Sequence, residues 1–175
     1  MADLDAPPVL HRSPSPKTAL AHLALAACGL GATVGLVAPG IERRVQHTRD
    51  LQRITDIERV RSALERYHAL HGEYPPTNGE WSTSLDTAFL SELVSAQLLD
   101  AAPCDPRNEQ RFHYRYARYP SGAYGCVGTG DFFVLAITSF EDPDFAQRNV
   151  GWFKCVGRSW NRDLAYVTGG GAALE

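Results

Sequence analysis

TALAHLALAACGLGATVGLVAPG (residues 18–40), followed without a turn signal by IERRVQHTRDLQRITDIERVRSALERYHALH (residues 41–71), reads as one long helix of two characters. The first part is uncharged, with His22 and Cys28 as its only ionisable side chains. Its roughly 21 helical residues, at ~1.5 Å each, extend ~32 Å against a bilayer hydrocarbon core of ~30 Å. In the second part Ile41, Val45, Leu51, Ile54, Ile57, Val60, Leu64, Tyr67 and Leu70 recur mostly three or four residues apart among charged neighbours. That is the period of an amphipathic helix with one packed face. The spacing predicts a transmembrane part at about 18–40 and a packed part to His71. Gly72 supplies the stop, and Pro75 and Pro76 block continuation.

Outward from this helix the chain is short-period and turn-rich. Residues 1–17 carry four prolines, mixed charge and no periodicity, and read as a disordered leader. Residues 86–99 place Phe89, Leu90, Leu93, Val94 and Leu98 largely on one face and predict a second, short helix. From Arg111 the period becomes two: Phe112, Tyr114 and Tyr116 alternate with His113, Arg115 and Ala117, as in a half-buried strand. Residues 123–127 read as a further short strand, 131–140 (DFFVLAITSF) as the most β-like run, 141–144 as a turn, and 149–156 and 164–168 as further short strands. The tail, 169–175, offers neither period nor bulk and reads as flexible. The fold class expected is α+β, a long N-terminal helix with a globular head over 72–168 of a short helix and an antiparallel sheet. Tyr74, Trp81, Phe89, Leu93, Tyr114, Phe133 and Leu135 are expected to form one core against Leu64, Tyr67 and Leu70.

The chemistry-bearing residues do not assemble into a catalytic pattern. A net charge of −3 gives no basic field for nucleic acid. His68 and His71 lie three apart near Glu65 but lack a third ligand nearby, so a packed or solvated helix end is expected. The acidic residues Glu141, Asp142 and Asp144 lack the spacing of a calcium loop and read as a turn. Ser139 and Ser159 have no nucleophile turn around them, and the glycines 125, 128 and 130 do not form a phosphate loop. No metal, cofactor or enzymatic activity is assigned. The mixed charges of the helix, with Asp50 and Arg53, Arg53 and Asp56, and Glu58 and Arg61 each three apart, are expected on a solvated face.

Two sets of small features bear on attachment. Leu25-Ala26-Ala27-Cys28-Gly29 fits a bacterial lipobox and makes Cys28 a candidate lipidation site, although the apolar run to Ala38 suits a buried cysteine better. Gly31 and Gly35 form a small-xxx-small pair that would let helices approach closely. Of Cys104, Cys126 and Cys155, any two would bridge in an oxidising compartment and leave a third. Sequence does not choose the pair. Cys126 with Cys155 is preferred, closing a loop of about 28 residues worth ~3 kcal/mol in the chain-entropy model.

A long helix with a proline at its membrane junction (Pro39), then DIERVRSALERYHALHGEYPP and APCDPRNEQRFHYRY, resembles the type IV pilins and the major pseudopilins of type II secretion systems. The resemblance runs over roughly residues 30–135 and is carried by Tyr67, Gly72, Tyr74, Pro75, Asp105, Pro106 and Tyr114. It implies a structural subunit, held by a single pass in a bacterial inner membrane with the head extracytoplasmic. Its partners would be copies of itself or related pilin-like subunits. Flanking charge does not add to this orientation, because Arg12 and Lys17 before the apolar segment are matched by Arg43, Arg44 and Arg49 after it. The resemblance is broken where pilins carry their peptidase site: the aligned positions are Lys17, Thr18 and His22, so neither that cleavage nor the pilin carboxylate contact between subunits is expected. The rival of a different class is a surface lipoprotein, lipidated at Cys28, with a ligand-binding head.

Overall fold

A computed structural model describes residues 16–77, 81–126, 128 and 130–171, with side chains from residue 40 onward. The chain divides into two units, residues 1–42 and 43–175. In the first, the described residues are helical and belong to α1, Pro16–His71. Cys28, Gly31, Gly35 and, but for Gly40, the expected membrane span lie outside the residues whose side chains are described, as does the whole of the expected leader. Among the described residues no helix is long and apolar enough to cross a membrane.

The second unit is α+β. The later part of α1 packs on a four-stranded sheet of order β1 (Ser82–Thr83), β2 (Tyr114–Tyr119), β3 (Phe132–Ile137) and β6 (Tyr166–Gly170), each neighbouring pair antiparallel. Strand β3, FFVLAI, is buried at all six positions because both faces of the sheet are covered. On one face Phe133, Leu135 and Ile137, with Tyr114 and Tyr116, meet Ile57, Val60 and Leu64 of α1. On the other, Phe132, Val134 and Ala136 meet Phe153, Trp160, Leu164 and Val167. The small hairpin of β4 (Lys154–Cys155) and β5 (Arg158–Ser159) lies in this C-terminal lobe, where the Cys126–Cys155 disulfide ties it down. The expected pair is therefore the one formed, and Cys104 is free and exposed.

Several expectations are corrected. The expected helix over 86–99 is reduced to α2, Ser91–Ser95, between Leu90 and Gln97, both with positive φ (50° and 56°). Its apolar periodicity survives as burial of Phe89, Leu90, Leu93 and Leu99 in tight turns. Residues 123–125 make a 3-10 turn, not a strand, with Tyr124 at φ 54°. The expected turn at 141–144 begins a helix, α3 (Pro143–Arg148), where the Asp142 carboxylate caps the Asp144 N–H at 2.9 Å. The expected strand over 149–156 contains only β4. The expected flexible tail starts inside β6, in which Gly169 pairs with Val134 and Gly170 with Phe133.

The single-core expectation is corrected as well. Trp81 packs with the second cluster rather than the first. Along the helix, Leu70 is exposed, as are Ile41, Val45 and Leu51. The α1 stop is as expected: Gly72, at φ 77°, donates its N–H to the His68 carbonyl at 2.8 Å.

Candidate functional site

The stripe by which α1 enters the head is half polar. Asp50, Arg53, Ile57, Val60 and Leu64 follow one another at helical spacing, and all five are buried. A guanidinium taken out of water this completely demands a full set of acceptors. Arg53 has them: Nε and Nη2 donate to the two carboxylate oxygens of Asp105 at 2.6 and 2.9 Å, and Nη1 donates to Asp50 at 2.6 Å. Glu141 stands 2.9 Å from the same nitrogen, and Phe112 lies under the guanidinium at 5.1 Å. Arg49 grips Glu141 through Nε and Nη2 at 2.7 and 2.5 Å. Asp50 in turn accepts the backbone N–H of Glu141 and of Asp142. One helix, the Asp105-Pro106 segment and the loop before α3 are thus clasped at one point.

The clasp sets its own electrostatics. Burial opposes ionisation of Arg53, but hydrogen bonds and charge from Asp105, with Asp50 and Glu141, hold its pKa above the ordinary arginine value. Burial would also raise the Glu141 carboxyl; hydrogen bonds from Arg49 and Arg53 outweigh it and leave it below the ordinary value. Asp142 is held low chiefly by its hydrogen bond with His47, at 3.2 Å. One turn on, burial raises Asp56, against the Tyr114 hydroxyl that donates to it at 3.1 Å and against Arg59.

A second set of contacts fixes the helix C-terminal end. Tyr74 is buried, donates its hydroxyl to Glu65 at 3.2 Å, and donates its N–H to Asp131 at 3.1 Å. Tyr116 donates its hydroxyl to the Pro75 carbonyl at 2.7 Å. Arg118 reaches Asp131 at 2.6 Å and Glu73 at 2.8 Å. His68 stacks on Tyr74 and His71 on Tyr67, so both histidines are engaged in ring packing.

The arrangement joins α1 to two segments of the head through buried charge. The acidic residues Glu141 and Asp142 are taken up by Arg49, Arg53 and His47, which corrects their reading as a plain turn. Among the described residues no group of three or more His, Cys, Asp and Glu side chains is placed to hold a metal ion. Of the residues quoted for the resemblance, Asp105, Tyr114 and Tyr74 each bond a side chain of α1, namely Arg53, Asp56 and Glu65. Sequence reading missed the burial of Asp50, Arg53 and Asp56. The signal was available, since Arg53 stands four residues before Ile57 and seven before Val60, on the face they define.

No family model, no curated protein and no solved structure matches this chain.

Proposed function

We propose that this chain is a membrane-anchored structural subunit of pilin-like or pseudopilin-like type, which assembles with copies of itself or with related subunits and displays its head outside a bacterial inner membrane. The observation that carries the reading is α1. It is one helix of 56 residues, apolar in sequence over 18–40, and its later half is fastened into the head by the Arg53 clasp and by Ile57, Val60 and Leu64. A helix used for assembly must carry its head with it. Buried, multiply bonded charge resists sliding of one element past another, because any slip leaves an uncompensated ion. Val45 and Leu51, 40 % and 50 % exposed on the same helix, offer apolar surface to a neighbour. The reading assigns the head no catalytic role.

The test uses a cysteine introduced at Val45 or Leu51 in a chain with Cys104→Ser, expressed in membranes, with the Cys104→Ser chain alone as the control for crosslinks through Cys28. Crosslinks to another copy or to a second defined subunit are expected. The reading fails if neither position crosslinks and mass spectrometry finds a mature chain starting at lipidated Cys28, the outcome that belongs to a surface lipoprotein.

A further inference from the structure

The C-terminal lobe contains a cavity of about 550 Å³ bounded by the β4–β5 hairpin and the Cys126–Cys155 disulfide. Its charged lining is Lys154, Arg158 and Arg162 against the single carboxylate of Asp163. Elsewhere in the head, Arg53 and Arg118 are bound by carboxylates. Among the described residues, Lys154, Arg158 and Arg162 form no ion pair. Arg158 is instead held by rings, its guanidinium carbon 5.4 Å from the centre of Tyr124 and 5.5 Å from that of Trp160. Its Nε–H is buried without a partner within the protein. A half-buried cation held by stacking on rings, rather than by a carboxylate, keeps its charge available to an anion.

The frame around these cations is tied at two points. The disulfide anchors the first strand of the hairpin, and Gly157 in its turn donates an N–H to the Tyr124 carbonyl at 2.8 Å. A Cβ at Gly157 would stand 2.9 Å from that same oxygen, so the close approach requires glycine. Binding at such a site loses little to ordering of the loop. The volume falls in the range of small-molecule pockets, and Val156, 91 % exposed at the hairpin tip, adds an apolar rim.

We propose that this cavity binds a small organic polyanion, a ligand carrying phosphate or clustered carboxylate groups, with Arg158 as the central contact and Lys154 and Arg162 as flanking charges. The site is independent of the assembly reading, since it lies on the sheet face opposite α1. Titration calorimetry of the full chain in neutral detergent, with pyrophosphate and with citrate as probes, tests it. Saturable binding of at least one probe is expected, weakening as salt rises from about 50 to about 500 mM. Because Lys154 and Arg162 are exposed, the double variant Lys154→Gln/Arg162→Gln keeps the fold and is expected to bind at least about tenfold more weakly. Arg158→Gln is expected to do the same with the disulfide intact. Binding of pyrophosphate alone identifies a phosphate ligand, and of citrate alone a carboxylate ligand. Absence of binding by both probes, or binding that the double variant leaves unchanged, overturns the proposal.

Discussion

Arg53 is the residue on which the helix–head junction depends. Removing one partner of a buried ion cluster leaves the others desolvated and uncompensated, so Arg53→Ala is expected to cost about 3–5 kcal/mol, read as a lower urea midpoint. Arg53→Lys should recover little of this, because an ammonium cannot make the fork to Asp105 while also reaching Asp50 and Glu141. The same cluster gives stability a defined pH dependence. Glu141 has its pKa lowered from the ordinary 4.5, so its contribution is full above that value and is lost as pH falls through the lower folded one. Asp56 has the opposite sign. Raised from 3.8 chiefly by burial, it contributes most below 3.8 and progressively less as pH rises through its folded value. Glu141→Gln should therefore flatten the acid limb of a stability–pH curve between about pH 5 and 2. Asp56→Asn should lower stability less at neutral pH than at acid pH, relative to the parent. An unchanged acid limb in Glu141→Gln would place the acid sensitivity elsewhere.

At the scale of elements, the C-terminal glycines show how composition misleads. Lack of bulk at Gly169 and Gly170 suggests a loose tail, yet it is what allows two rings to close over β6. A Cβ on Gly169 would stand 2.5 Å from two carbons of the Phe153 ring, and one on Gly170 would stand 2.6 Å from the Phe133 ring. Gly169→Ala is expected to destabilise by about 1–3 kcal/mol through overpacking, which thermal unfolding would show as a lower midpoint. The α+β class, the helix end at Gly72 and strands β2 and β3 were legible, because periodicity and a left-handed cap are local signals; the Cys126–Cys155 pairing was only a preference among three, because the number of cysteines does not choose partners. The extent of α2 was not, since its limits come from positive φ at Leu90 and Gln97, residues whose side chains give no hint of it. The clasp was half legible. Asp105 stands out with its proline, whereas Arg53 reads as a solvated charge, because an arginine on an apolar face is buried only when distant carboxylates meet it, and distance in sequence hides them. Trp160 at the centre of the second cluster went unnoticed for a related reason: it lies in a segment without period, packed by the disulfide and Phe153 rather than by a repeating face.

At the scale of the whole chain, the disulfide and the apolar helix make separable demands. The Cys126–Cys155 link spans 29 positions and constrains the unfolded head by about 3–4 kcal/mol in the chain-entropy model, so reduction should lower head stability without altering the Arg53 clasp on the other side of the sheet. Assembly, on the proposed reading, rests instead on residues 18–40. Under the proposed resemblance, pilins join neighbouring subunits through a buried carboxylate and a subunit N-terminus, whereas the position that would align here is His22, so on that reading close helix packing would supply the association. Small residues permit such packing in a membrane, where apolar side chains gain nothing by leaving lipid for one another. Gly31 and Gly35 are four apart and lie on one helix face. Replacing both by Leu adds bulk at the point of closest approach and is expected to reduce crosslinking between chains in membranes several-fold, while near-UV circular dichroism of the full chain in detergent keeps the signature of a folded head. Undiminished crosslinking in the double variant would remove this face as the interface. A parent chain that crosslinks to nothing would leave a monomeric anchor, and the weight would then move to the polyanion cavity of the head as the part of the molecule that acts.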